Sequence, residues 1–367
     1  MQGRLAAMDG VRNIEIREYP VPEPGEGEVI MHVTMANVCG SDIHMWEGKH
    51  LFRDHVMGHE MAGVVHKLGA GVTTDYAGRP VAEGDRIVPV YYLTCQRCLA
   101  CTHGLFNLCT HGSDYQGAKA ETPPHFTGGF ATHYVIHSNQ YFYKIPDSVP
   151  DQVAAGANCG FTQMLYALDQ VGPLHNRSVV VQGAGGLGLY SSAIASVMGA
   201  RVVVVDSVAS RLEEAKAFGA RATVNMQEVP DMGDRAARIG ELLDGAPDLV
   251  VDVTGVPSAL NESIRLCRMG GTVLELGAVS VDEDQTVTTV PGLITRKCLT
   301  IRGILRYQPW YLEKGLQFLA TYADRFPFAS LTDRFYPLDE TQTALQKAAN
   351  REVTRAIIEP NRKGSAW

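Results

Sequence analysis

With 367 residues, 45% apolar and 20% charged, and with 37 glycines, the chain has an ordinary globular composition and is long enough for two cored domains. Its formal net charge of −8 argues against a nucleic-acid or anionic-membrane partner, and no run approaches a transmembrane span. Met1 to Asp9 carries no signal-peptide core, so the cytoplasm is the expected compartment, and the eight cysteines read as metal-held or free thiols rather than disulfides.

The first thirty residues read as strands and turns, punctuated by Pro20, Pro22, Pro24, Gly25 and Gly27, and Val29 to Val33 reads as a strand. Cys39-Gly40-Ser41-Asp42-Ile43-His44 follows, and Gly58-His59-Glu60 comes shortly after. Taken alone, these residues leave His59 open to being an ordinary hydrogen-bonded core histidine. The next cluster is more specific. Cys95-x2-Cys98-x2-Cys101-x7-Cys109 lets one loop wrap a tetrahedral ion with four thiolates. An iron–sulfur cluster competes for such a set. Nothing else in the chain suggests electron relay, so a structural zinc is expected, closed and unreactive.

Ser178 to Gln182 is a β-branched run that leads into Gly183-Ala184-Gly185-Gly186-Leu187-Gly188, a G-x-G-x-x-G sequence. Leu187 to Met198 follows at helical spacing and stops at Gly199. A second β-branched run ends in Asp206, eighteen residues after Gly188. The unit is a complete βαβ nucleotide fold: Gly183 permits the turn, Gly185 admits a pyrophosphate, and Gly188 lets helix pack on strand. Asp206 faces the adenosine ribose, and its charge opposes a 2′-phosphate, which favours NAD over NADP. Strands at Asp248 to Asp252, Gly270 to Gly277 and Leu299 to Gly303, alternating with helices, give an α/β doubly wound parallel sheet. Pro309 to Tyr322 reads as a helix, and strands and a helix to Ile358 complete the chain; the tail from Asn361 reads as a disordered end. Cys267 and Cys298, outside every ligand pattern, are expected to be buried thiols.

Taken together, the Cys39 to His44 stretch, Gly58-His59-Glu60, the four-cysteine loop and the glycine fingerprint resemble the zinc-dependent alcohol dehydrogenases of the medium-chain dehydrogenase/reductase (MDR) superfamily, from about Ile14 to Ile358. The resemblance implies a Rossmann domain over 159–303 and a mostly-β GroES-like catalytic domain from 1–158 and 304–367. It also implies two Zn²⁺ per chain and NAD. Cys39, His59 and Cys159 match the catalytic-zinc ligands, with Glu60 as an alternative fourth. Ser41 matches the hydroxyl that takes the substrate proton, His44 the end of a relay to solvent, and Asp42 the carboxylate that orients the zinc-bound histidine. Ser41 and Asp42 also suit a local helix cap. Arg211 matches a basic position near the adenosine ribose and Arg355 the arginine on the cofactor phosphates; a solvated surface arginine and an ordinary strand arginine are the competing readings.

Two features depart from the family pattern. Gly40 replaces a basic residue that some members place on the pyrophosphate. The Gly-Ser-Asp-x-His form and Trp46 look like the polyol dehydrogenase branch, but that branch usually has an acid where this chain has Cys159, and many members lose the second zinc. The implied activity is reversible oxidation of an alcohol to a ketone or aldehyde with NAD⁺. A polyol dehydrogenase, a zinc-free enone or quinone reductase, formaldehyde–thiol adduct oxidation and a non-catalytic binding protein are the alternatives. Trp46, Phe52, His55, Tyr91, Tyr115, Phe126 and Phe130 are candidate pocket walls that suggest a bulky secondary or cyclic alcohol, although such residues more often belong to a core. The expected partners are a small-molecule alcohol or carbonyl and further copies of the chain, as a homodimer or homotetramer built on the Leu299 to Gly303 edge.

Overall fold

The computed structural model describes residues 1–49, 54–277, 285–353 and 355–362. Phe52, Thr354 and the tail from Lys363 lie outside the described residues. The chain forms two compact units: Met1–Thr162 with Gln308–Asp324 and the chain from Phe328 onward, and Gln163–Tyr307 with Arg325–Pro327.

The second unit is built on six parallel strands. From edge to edge they are Ala222–Asn225, Arg201–Asp206, Ser178–Gln182, Leu249–Asp252, Thr272–Glu275 and Thr300–Gly303. In chain order this is 3-2-1-4-5-6, the doubly wound Rossmann arrangement. Ser178–Gln182 and Leu249–Asp252 are buried throughout. Helices cover both faces of such a sheet, so its strands read as unbroken apolar runs rather than alternating ones. The winding reverses between these two strands, and their carboxyl ends open the crevice where doubly wound folds take ligands.

The first unit is mostly β. Arg334–Pro337, Ala356–Glu359, Val29–Asn37, Glu60–Leu68, Arg86–Pro89 and Phe142–Lys144 lie side by side, and His133–Ile136 also pairs with Val29–Asn37. Gln2–Met8 and Ile14–Pro20 make a separate antiparallel ribbon. Asn37 sits opposite Glu60 on one side and Ile357 on the other, so the last strand delivers the far end of the chain beside His59 and Glu60.

Most of the candidate pocket aromatics belong to the packing of this unit. Trp46, Phe126 and Phe130 are fully buried in its apolar clusters, and His55 is 2% exposed. Cys298 is exposed, not buried: it closes the helix Pro291–Lys297, which buries no side chain, with a left-handed φ of 50°. Cys267 is buried.

Candidate functional site

Cys39 ends an extended approach (φ −84°, ψ 157°) and serves as the N-cap of the helix Gly40–Trp46. One carboxylate fixes this turn twice. Asp42 Oδ2 accepts the Cys39 N–H at 2.9 Å, half of a capping box, while Oδ1 lies 3.2 Å from His59 Nδ1. The cap and the histidine contact therefore coexist on separate oxygens of the same side chain. Ser41 and His44 are three residues apart and share a helix face, and His44 is exposed.

Cys159 comes from one turn of π-helix, Ala157–Phe161, between the helices Asp151–Gly156 and Thr162–Asp169. Such bulges shift the side chains by one position and recur at functional sites. Asn158 locks the turn by donating from Nδ2 to the carbonyls of His59 at 2.9 Å and Pro89 at 3.0 Å. Sequence reading missed this residue, because an asparagine beside a cysteine carries no signal until the turn is seen.

The ligand atoms of Cys39, His59, Glu60 and Cys159 all lie within 4.8 Å of one another. The group fits a zinc-class ion. Asp42 occupies Nδ1 of His59 and leaves Nε2 for a metal. Glu60 Oε1 is buried without a hydrogen-bond partner among the described residues. Two thiols and an imidazole are the three donors of a catalytic zinc, which leaves a fourth position that Glu60 or a substrate can take. The electrostatics suit the same ligand. A hydrogen bond from Cys159 holds the Cys39 thiol well below its ordinary value, against the effect of burial, and raises that of Cys159. Burial pushes Glu60 up to about 8, opposed by Arg355. Arg355, expected on cofactor phosphates, donates from Nη1 to Glu60 Oε2 at 2.9 Å, and its side chain is 13% exposed. Tyr91 stands against His59 with ring centroids 5.3 Å apart.

Cys95, Cys98, Cys101 and Cys109 form a second set with the same mutual spacing limit of 4.8 Å. Backbone N–H groups already point at its sulfurs: Cys95 donates to Cys109 Sγ and Cys98 to Cys95 Sγ, both at 3.3 Å. Backbone bonds from Cys101 and Thr110 bring Cys98 down to about 5, whereas burial and the Cys98 side chain push Cys101 up to about 12. Four convergent sulfurs in one loop suit a closed tetrahedral zinc.

In the second unit, the three motif glycines occupy physically distinct positions. Gly183 has φ 101°. A Cβ on Gly185 would meet nothing within 4 Å, whereas one on Gly188 would stand 1.9 Å from the Gly183 carbonyl oxygen. Gly185 caps the helix Gly186–Val197, and no side chain caps its first turn, where Gly186, Leu187 and Gly188 leave N–H groups for an anion. Asp206 is 8% exposed, and its oxygens accept the N–H groups of Ala184 at 2.7 Å and Val208 at 2.8 Å. Arg211 is half-buried in the first turn of the helix Ala209–Ala217.

Comparison with known proteins agrees with this anatomy. Residues 25–147 match the alcohol dehydrogenase GroES-like domain, and residues 186–321 match the zinc-binding dehydrogenase domain. The chain is 29% identical to 5-exo-hydroxycamphor dehydrogenase of Pseudomonas putida, over 97% of this chain and 98% of that protein. It is 31% identical to sorbitol dehydrogenase of Gallus gallus, over 94% and 93%. Among solved structures, an alcohol dehydrogenase from Thermotoga maritima superposes with a TM-score of 0.92 at 26% identity, covering 98% of this chain and all of that one. Two domain matches in order, full-length relatives and a shared fold show that the chain belongs to the zinc-dependent alcohol dehydrogenase family of the medium-chain dehydrogenase/reductase superfamily.

Proposed function

We propose that this chain catalyses the reversible oxidation of a bulky secondary or cyclic alcohol to its ketone with NAD⁺. The observation that carries the reading is the convergence of Cys39, His59, Glu60 and Cys159 within 4.8 Å, next to a helix turn that holds both Ser41 and Asp42. A zinc ion held by this set supplies Lewis acidity that lowers an alcohol's pKa, and bound NAD⁺ supplies the hydride acceptor. The chain's own groups do the rest. Ser41 Oγ takes the hydroxyl proton, and His44, on the same helix face and open to water, passes it to solvent. Asp42 fixes the tautomer and direction of His59. Glu60, pinned by Arg355 through one oxygen, has its other oxygen buried without a hydrogen-bond partner among the described residues and would offer it as a further ligand to a zinc held by Cys39, His59 and Cys159. Cys95, Cys98, Cys101 and Cys109 hold a second, structural zinc.

Gly183, Gly185, Gly186, Leu187 and Gly188 bind the cofactor phosphates, and Asp206 and Arg211 face the adenosine ribose, the Asp206 charge turning away a 2′-phosphate. The substrate class draws on the first relative, whose name specifies a hydroxylated camphor, a bulky cyclic secondary alcohol. The sorbitol dehydrogenase similarity supports a second reading, a polyol substrate. A screen of NAD⁺ and NADP⁺ reduction against cyclic secondary alcohols, primary alcohols and polyols, with zinc counted on the same sample, decides between them. Turnover of cyclic secondary alcohols with NAD⁺ is the expected result, polyol turnover selects the second reading, and no alcohol turnover in zinc-replete protein overturns both.

A further inference from the structure

Outside the cysteine-containing clusters, three strands of the first unit each bring one histidine to a common place. His32 belongs to Val29–Asn37, His66 to Glu60–Leu68 and His133 to His133–Ile136. The His133 ring lies 5.4 Å from that of His32 and 5.2 Å from that of His66, edge to face in both cases. His32 and His133 are direct cross-strand partners. None of the zinc, proton-transfer or cofactor roles involves these residues.

Three imidazoles this close cannot all carry charge. Burial, reinforced by His32 and His66, pushes His133 down to about 4, and burial lowers His32 as well. Both rings are therefore neutral near pH 7, each with one N–H and one lone pair. His133 is held firmly. Its Nδ1 lies 3.0 Å from Thr132 Oγ1, which accepts the Arg4 N–H at 2.9 Å and reaches the Arg4 carbonyl at 3.2 Å. When the hydroxyl proton lies on that carbonyl, Nδ1 of His133 is the donor and Nε2 carries the lone pair, the tautomer that can bind a metal through Nε2. Nε2 is buried and has no hydrogen-bond partner among the described residues, on a side chain whose residue is 4% exposed. His32 is likewise steadied through one nitrogen by Asn361, which donates to the carbonyls of Val33 and Thr132 at 2.8 and 3.2 Å. For His133, one nitrogen held by its neighbours and the other left open is how metal-binding histidines are oriented.

We propose that His32, His66 and His133 hold a further metal ion of the zinc class, with His133 Nε2 as the fixed donor. Two imidazoles bound to one tetrahedral ion at about 2.0–2.1 Å place their ring centres about 5 Å apart. The observed separations are 5.2 and 5.4 Å. Among the described residues only the two cysteine-containing sets have every ligand atom within 4.8 Å, so a shared ion here requires His32 and His66, both half-buried, to turn toward His133 Nε2. An all-nitrogen donor set selects zinc, nickel or copper over magnesium and calcium. His32 lines a surface groove with Thr34, Gln152, Glu359 and Asn361.

The test compares the full zinc-loaded chain with His133→Phe and His66→Ala after equilibrium dialysis against graded Zn²⁺, with metal per chain counted by mass spectrometry. The wild type is expected to bind one equivalent more than either variant. Co²⁺ added to the zinc-loaded wild type should give d–d absorption without thiolate charge transfer, and the variants should not. If His133→Phe fails to fold, as judged by circular dichroism, the half-buried His66→Ala carries the comparison alone. Equal metal counts in wild type and His66→Ala, or a thiolate signature on the added cobalt, overturn the proposal.

Discussion

Asp42 spends its two oxygens on different elements: Oδ2 closes the first turn of Gly40–Trp46, and Oδ1 holds His59. Removing the carboxylate therefore has two separable consequences. Asp42→Ala is expected to weaken zinc binding at the Cys39 site by about 10–100-fold, measured by chelator competition. It should also cost about 1 kcal/mol in denaturant unfolding from the lost cap. A loss of stability with zinc affinity unchanged would reduce Asp42 to a cap. Ser41 makes the complementary case. Its hydroxyl bonds to Cys39, but it is not among the ligands. Ser41→Ala should lower kcat by about 10²–10⁴ with the zinc count intact. Asp206 is expected to govern cofactor choice through charge. With both oxygens anchored by backbone N–H groups it cannot swing away from a 2′-phosphate. Asp206→Gly should shift the NAD⁺ to NADP⁺ ratio of kcat/KM toward NADP⁺ by about tenfold or more, and an unchanged ratio would remove Asp206 from the discrimination.

At the scale of the element, the turn after Ser178–Gln182 lets two glycines be told apart. Gly188 has no room: a methyl group there would stand 1.9 Å from the Gly183 carbonyl, which belongs to backbone and cannot yield cheaply. Gly185 has open space where a methyl group would go. Gly185→Ala should thus melt like the wild type while losing cofactor affinity, whereas Gly188→Ala should lower the melting temperature before any cofactor is added. The reverse pattern would displace the phosphates from this turn. The turn was legible because a β-branched run, glycines and a closing acid are local signals, confined to Ser178 to Asp206. Ala222–Asn225 was not legible. It is four residues long and only partly buried, and it lies at the sheet edge, so no apolar run marks it. The π-turn that carries Cys159 was hidden for a different reason, since its extra residue per turn is set by packing and by Asn158 rather than by composition. Of the candidate aromatics, Trp46, Phe126 and Phe130 pack the core, the commoner fate of such residues, because residue type alone does not separate core from pocket wall. The Arg355 contact with Glu60 joins residues 295 apart, which only sheet topology can bring together.

The nucleotide-binding sheet ends in an open edge. Thr300–Gly303 is the outermost strand of its sheet and pairs on one side only among the described residues. Proteins usually blunt such an edge with charge, proline or a covering loop. This one displays Ile301 at 38% exposure and Leu305 at 58%, and the neighbouring helix Pro291–Lys297 buries no side chain. A second copy related by a two-fold axis would supply the missing hydrogen bonds and cover the apolar side chains, because a two-fold contact pairs the same patch with itself. The chain is therefore expected to sediment as a dimer or a multiple of one. Ile301→Pro removes an N–H and the side chain together, and should yield monomers with the nucleotide fold preserved, read by sedimentation equilibrium alongside cofactor binding. Both outcomes of that pairing inform the edge: monomers that still bind cofactor place the interface on this strand, and an unchanged dimer moves it elsewhere.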